Sequence, residues 1–142
     1  MRNSVSVSVN IDAPPEKVFA VLRDVERWPE WTSTMASVRR VESGAFAVGS
    51  TAHVRQPKLR PAVWRVTELE DGRNFTWTMR SPGLRMTAGH LIEPQGRGSC
   101  VTLSFELSGF MARAVSWLYG SLIERYMTTE SQGLKRRSES AP

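Results

Sequence analysis

Few side chains in this sequence could perform acid–base or nucleophilic chemistry. Among 142 residues there are two histidines, His53 and His90, and one cysteine, Cys100. A lone thiol is more often structural than nucleophilic, and it can form neither an internal disulfide nor a cysteine-rich zinc module. Two histidines without carboxylates at ligand spacing do not make a conventional zinc site. We therefore expect no metal and no cofactor.

His90 is the titratable side chain that the pattern places inside the protein. It shares strand parity with Met86, Ala88 and Ile92, so it should point with them toward the core. A buried histidine is either hydrogen-bonded to a neighbour or directed at a ligand. We interpret His90 as a structural or ligand-anchoring residue, with general acid–base catalysis as the alternative. The same alternation places His53 on the polar face of its own strand.

The elements that position these residues begin with a strand and two short helices. Apolar and small polar residues alternate from residue 4 to residue 11, which predicts a strand with one solvated face. Pro14 and Pro15 then end the strand and suit the first turn of a helix over 15–23. A second short helix follows, with Asp24 as its predicted capping residue, and Pro29 should end it.

Six further strands and one long helix complete the predicted order. Turn signals containing glycine separate the strands, which cover about 35–43, 50–56, 62–70, 74–80, 85–93 and 99–108. Because the connections are short, consecutive strands should pair antiparallel. The period then becomes helical over about 110–136, with one apolar face formed by Met111, Ala114, Val115, Leu118, Leu122 and Tyr126.

This order predicts an α+β helix-grip fold in a single domain spanning 1–142. A curved, seven-stranded antiparallel sheet should bury its apolar face on the long C-terminal helix. Since a curved sheet and a straight helix do not fill the space between them, we expect an apolar cavity of roughly a few hundred Å³ there.

Inward-facing large side chains should line this cavity. The predicted ligand-binding residues are Trp31, Gln56, Trp64, Trp77, Met79, Met86, Ala88, His90, Phe105, Val115, Leu118 and Leu122. Methionine and aromatic side chains are typical of such linings. Gln56 has an equally good explanation as a turn residue beside Pro57. Trp28 and Trp31 would either gate the cavity or pack as a lid on the core.

Charge and hydropathy restrict the class of partner. The net charge is +5, from 19 Lys and Arg against 14 Asp and Glu, but the basic residues are spread along the chain. No basic stripe with interleaved aromatics is present, so we expect no nucleic-acid partner. The apolar runs are far shorter than the ~20 residues of a membrane helix, which predicts no stable membrane insertion. The first residues do not form a secretory signal, and a cytoplasmic location is the expectation.

Several local motifs resemble those of a known superfamily. They are Ile11-x-Ala13-Pro14-x-Glu16-x-Val18-Phe19, Trp28-Pro29-Glu30-Trp31, Gln56-Pro57, Trp64-x-Val66-Thr67-Glu68 and Phe75-x-Trp77. Over about 4–136 the chain resembles the helix-grip (SRPBCC) superfamily of START-related lipid-transfer domains, plant Bet v 1-type proteins and polyketide cyclase/dehydrase-like proteins. It is most similar to the small bacterial members of the last group. The resemblance implies a cavity for a hydrophobic ligand.

Three functions are compatible with these observations. The first is binding of a hydrophobic small molecule, such as a lipid, an isoprenoid or a polyketide, by a carrier or sensor. The second is a cyclase, aromatase or dehydrase that uses the same cavity, with His90 as its acid or base. The third is a peripheral membrane factor that approaches anionic lipid through surface arginines while it exchanges a ligand.

Overall fold

The computed structural model describes residues 3–140, and its elements follow the predicted order. The strands are β1 (Ser4–Ile11), β2 (Ser37–Arg40), β3 (Thr51–Arg55), β4 (Ala62–Glu70), β5 (Asn74–Ser81), β6 (Leu84–Gln95) and β7 (Gly98–Ser108). The helices are α1 (Pro15–Arg23), a 3-10 helix (Val25–Glu30) and α2 (Ala112–Glu139).

The seven strands form one sheet in the order β1-β7-β6-β5-β4-β3-β2. Every neighbouring pair is antiparallel, and the first strand pairs with the last, with Ile11 opposite Ser99. Alternation along β1 turns its valines toward the core and its serines toward solvent. The predicted fold class, a curved antiparallel sheet around a long C-terminal helix, is confirmed.

The second short helix and β2 differ from their predicted forms. Residues 25–30 form a 3-10 helix that contains Pro29. Asp24 precedes it without a side-chain capping bond and lies 3.3 Å from Arg27 instead. β2 ends at Arg40 rather than near residue 43, because the Glu42 carboxylate turns back to accept hydrogen bonds from the backbone and hydroxyl of Thr51.

The long helix buries a different face from the one that its apolar period predicts. Its buried residues are Ala112, Ser116, Gly120, Ile123, Met127, Ser131, Gly133, Leu134 and Ser138. Leu118, predicted to point inward, is 64% exposed, while Val115 and Leu122 are only partly buried. The predicted inward position of Leu118 is therefore wrong. Small residues on the buried face let α2 lie close against β1, β7 and α1. The prediction relied on the spacing of large apolar side chains, and therefore did not detect a buried face made mostly of Ala, Ser and Gly.

Gly133 marks the tightest of these approaches. A Cβ atom at this position would overlap the carbonyl oxygen of Trp31 and would lie 3.1 Å from Cε3 of its indole. Because the overlapping atom belongs to the backbone, it cannot move aside as the end of a side chain can. The absence of a side chain at Gly133 thus determines how closely α2 crosses the chain at Trp31.

Gly133→Ala should therefore destabilise the protein, although alanine is favoured over glycine by about 1 kcal/mol inside a helix. Overpacking against Trp31 should reverse that gain and lower the free energy of unfolding by roughly 1–3 kcal/mol. Urea denaturation followed by circular dichroism measures the change. Gln132→Ala, at the exposed neighbouring position, is the control. Stabilisation by Gly133→Ala would show that the crossing is loose.

Candidate functional site

Three rows of side chains cross β5, β6 and β7 on the face that packs toward α2. Taken from β5 to β7, the rows are Phe75, His90 and Leu103; Trp77, Ala88 and Phe105; and Met79, Met86 and Leu107. Trp64 of β4 extends the middle row, with its ring centroid 5.7 Å from that of Trp77 and 6.4 Å from that of Phe105. Apart from His90 and Leu107, these residues belong to one apolar cluster or pack directly against it.

The structure thus brings seven of the predicted binding residues together on one face of the sheet. They are Trp64, Trp77, Met79, Met86, Ala88, His90 and Phe105. Ala88 lies between two aromatic residues in the middle row and is itself partly exposed.

Burial changes along this face. Phe75 and His90 are buried, whereas Met79 and Met86 are partly exposed. The row that contains the methionines is next to the β5–β6 turn, where α2 begins; there the Met111 amide donates to the Gly83 carbonyl at 2.9 Å. The face is therefore most fully buried around His90, and partly exposed side chains occur in the other two rows.

His90 lies in an aromatic enclosure at the most buried part of this face. Its ring stacks on Phe75, with centroids 4.1 Å apart and an interplanar angle of 11°, and it meets Trp28 edge-on at 5.5 Å and Trp77 at 6.3 Å. Since a carbonyl only accepts, the 2.9 Å contact requires Nδ1–H of His90 to donate to the Phe75 oxygen. Nε2 is then unprotonated and can accept a hydrogen bond.

The enclosure also keeps the His90 ring neutral. Burial lowers the pKa of His90 to about 4, and the hydrogen bond to the Phe75 carbonyl opposes this shift only in part. A neutral ring with Nδ1 protonated offers one acceptor, which suits a hydroxyl group on an otherwise apolar molecule.

Trp28 and Trp31 form a packed lid on this end of the core. Both are buried, and their ring centroids are 5.4 Å apart. The indole Nε1–H of Trp28 donates to the Leu22 carbonyl at 2.9 Å, so the buried polar atom is satisfied. The sequence left open whether the two tryptophans gate a cavity or pack as a lid, and their packing is that of a lid. Trp31 contacts Trp28, and Trp28 in turn contacts Trp77 and His90 of the sheet.

Glu130 of α2 was not among the residues predicted from the sequence. Desolvation raises the pKa of its carboxyl group to about 7, and a hydrogen bond from Thr34 opposes the shift. Thr34 and Thr32 are both buried, and their hydroxyl oxygens are 2.9 Å apart. Glu130 lies three residues after Met127 and four before Leu134, both on the buried face of α2. That spacing would have identified it had the buried face been assigned correctly.

The remaining predicted residues lie around α2 and the β3–β4 loop. Tyr126 donates a hydrogen bond to the Pro57 carbonyl, which ties this loop to the helix. Gln56, next to Pro57, is partly buried, as are Val115 and Leu122 on α2. Contact of these residues with a ligand stays a prediction.

An open groove of about 520 Å³ lies on the outer face of the sheet. It is lined by Ser4, Val5, Ser6, Thr76, Thr87, Gly89, Ser104, Phe105 and Glu106. Most of these residues are small and polar, and only Phe105 was predicted as a binding residue. Within residues 3–140, histidine, cysteine and acidic side chains form no group of three or more that could hold a metal ion.

Solved structures with this fold are numerous. A protein from Thermus thermophilus, TTHA0849, has a TM-score of 0.76 at 18% identity, over 95% of this chain and 96% of that one. The Zhui aromatase/cyclase of Streptomyces sp. R1128 has a TM-score of 0.78 at 14% identity, over 96% and 93%. Ara h 8.0201 has a TM-score of 0.74 at 13% identity, over 95% and 96%.

These identities show a shared fold and not a shared reaction. No curated protein sequence matches this chain. The family model described as polyketide cyclase/dehydrase and lipid transport, however, matches residues 2–139. With nearly its whole length matched, the chain belongs to this SRPBCC-type family.

Proposed function

We propose that this protein binds a hydrophobic small molecule, of the lipid, isoprenoid or polyketide kind, between the sheet and α2. One observation carries the proposal: an apolar face of aromatic and methionine side chains that is partly open at Met79 and Met86 and ends at the buried, neutral His90. An amphiphilic ligand would place its apolar body along the rows and its polar group near Nε2 of His90.

The residues proposed for the apolar contacts are Trp64, Trp77, Met79, Met86, Ala88 and Phe105, with Val115 and Leu122 from α2. Gln56 and Trp31 would lie at the margin of the bound molecule. The family description names both polyketide cyclases and lipid transport, which supports an apolar ligand without choosing between the two.

A cyclase, aromatase or dehydrase is the second candidate, and Glu130 is the observation in its favour. A carboxyl group with a pKa of about 7 can both donate and accept a proton at neutral pH, as general acid–base catalysis requires. The Zhui protein, described as an aromatase/cyclase, has the same fold. Turnover of a polyketide chain that Glu130→Gln abolishes, with ligand binding retained, would favour the enzyme over the carrier.

Ala88→Phe should block the proposed site. The new ring would project between Trp77 and Phe105. We expect a fluorescent hydrophobic probe to bind the natural protein saturably and to lose at least about tenfold in affinity for Ala88→Phe, the equivalent of about 1.4 kcal/mol. Thr87→Phe, on the outer face of the same strand, is the control. Equal probe affinity in all three proteins would contradict the site.

His90 should make the protein sensitive to acid. Its pKa is about 4 in the folded protein against 6.5 unperturbed, so the unfolded chain binds the proton more readily between these values. The free energy of unfolding should therefore fall by up to about 3 kcal/mol as the pH drops through this interval. In His90→Phe that part of the pH dependence should be absent in urea titrations at several pH values. His53→Gln, at the exposed histidine, should retain it.

Glu130 should have the opposite effect on stability. Its raised pKa means that the folded protein holds the proton more tightly, so stability falls as the pH rises from about 4.5 through about 7. Glu130→Gln removes the ionisation, and should stabilise the protein at alkaline pH by roughly 1–3 kcal/mol. Near pH 5 the variant and the natural protein should be nearly equal. Glu106→Gln, on the outer face, controls for the lost charge; a gain from Glu130→Gln independent of pH would refute the shift.

A further inference from the structure

Large apolar side chains face solvent where α2 begins. Phe110 and Trp117 are 85% exposed, and Met111, Leu118 and Tyr119 are at least 40% exposed. We call these five residues the α2 aromatic patch. Exposed aromatic side chains grouped in this way mark a surface that contacts a partner or a membrane.

Three exposed arginines lie at the same end of the molecule as the α2 aromatic patch. A Cβ atom at Gly83 would meet Cζ of Phe110 at 2.6 Å, so the Phe110 ring lies over the β5–β6 turn. Arg80 and Arg85 are paired beside this turn on the outer face of the sheet, where Nε of Arg85 donates to the Ser108 hydroxyl at 3.3 Å, and Arg113 is in the first turn of α2. All three are exposed, and in the described part of the chain none of them makes an ion pair.

The sign of the charge indicates what covers this surface. Residues 107–123 contain no Asp or Glu, and Glu106, opposite Thr87, is an acidic residue on the face of the sheet that carries Arg80 and Arg85. A second copy docked patch to patch would bring arginines of like charge together. An anionic lipid surface would instead neutralise them, and Trp and Tyr side chains are favoured at the level of lipid headgroups.

We propose that the α2 aromatic patch and its three arginines dock the protein reversibly on the surface of an anionic bilayer. Phe110, Trp117 and Leu118 would enter the headgroup region, while the arginines contact lipid phosphates. Docking is peripheral, because no helix within residues 3–140 is long and apolar enough to cross a membrane. The inference goes beyond the proposed function, since this surface would bind lipid whether or not the interior holds a ligand.

Docking in this orientation would also bring the partly exposed Met79 and Met86 close to the bilayer. The β5–β6 turn under Phe110 adjoins the partly exposed pair Met79 and Met86. If the proposed function is correct, these partly exposed side chains of the binding site would therefore face the bilayer when the patch is docked. A hydrophobic ligand could then pass between membrane and protein with little exposure to water.

Trp117 provides a direct measurement of docking. All five tryptophans lie in the described part of the chain, and the other four are buried. Mixed vesicles of phosphatidylcholine and phosphatidylserine should shift the Trp117 emission to shorter wavelength and protect it from acrylamide. Vesicles of phosphatidylcholine alone, or added salt, should weaken both effects, because the charge interaction is screened.

Two pairs of variants test the surface by co-sedimentation with the mixed vesicles. Phe110→Ser with Trp117→Ser should weaken binding about tenfold or more, whereas Val48→Ser with Val63→Ser, at exposed valines elsewhere, should not. Arg85→Glu with Arg113→Glu should weaken it at least about fivefold for each arginine. The control for charge is Arg97→Glu, at the opposite end of the β6–β7 hairpin.

Two results would overturn the proposal. One is equal vesicle binding by patch and control variants, and the other is a dimer in the absence of lipid that Phe110→Ser with Trp117→Ser converts to monomers. Probe binding in solution tests the interior separately. The patch variants should retain it and Ala88→Phe should lose it, so a failure of docking is distinguishable from a failure of the proposed function.

Discussion

The arrangement of this protein depends on how the Trp28 indole is packed. The ring is buried, its Nε1–H is satisfied by the Leu22 carbonyl, and its faces and edges contact Phe75, Trp77 and His90 of the sheet. This contact joins the short helices to β5 and β6. It also positions Trp31, whose backbone meets α2 at Gly133, so the path of the long helix follows from where Trp28 lies.

A dry enclosure at one end of the interior has electrostatic consequences. The aromatic rings that exclude water from His90 lower its pKa, and the desolvation of Glu130 raises the pKa of its carboxyl group. His90 is therefore neutral at neutral pH, whereas Glu130 is partly protonated. The two residues make the free energy of unfolding change in opposite directions with pH in mildly acidic solution, so their effects partly cancel. The effect of His90 is therefore clearest in Glu130→Gln, and that of Glu130 is clearest in His90→Phe. A neutral polar group at the end of an apolar surface suits an amphiphilic ligand.

The fold itself does not choose between carriage and catalysis. Proteins with TM-scores near 0.75 to this chain include an aromatase/cyclase as well as Ara h 8.0201. What separates the two candidates is whether the titratable groups, His90 and Glu130, transfer a proton or only hold a polar group in place. The α2 aromatic patch lies on the outside of the same helix, so cargo binding and membrane docking would use opposite faces of one element.

Side-chain alternation is a local property of extended backbone, so the strands and the inward position of His90 could be predicted from residue order alone. The antiparallel pairing followed from the short connections between consecutive strands. It predicted that Trp64, Trp77 and Ala88 face one interior, and the strand register brings them together. The buried face of α2, in contrast, could be assigned only once the helix was seen packed on the sheet. The buried face is the one whose side chains fit the space between helix and sheet. Ser116 and Gly120 are small and lie on that face, whereas the larger Leu118 is exposed. Glu130 was missed for the same reason, since it lies next to the buried face of α2, and its hydrogen-bond partner Thr34 comes from a distant part of the chain.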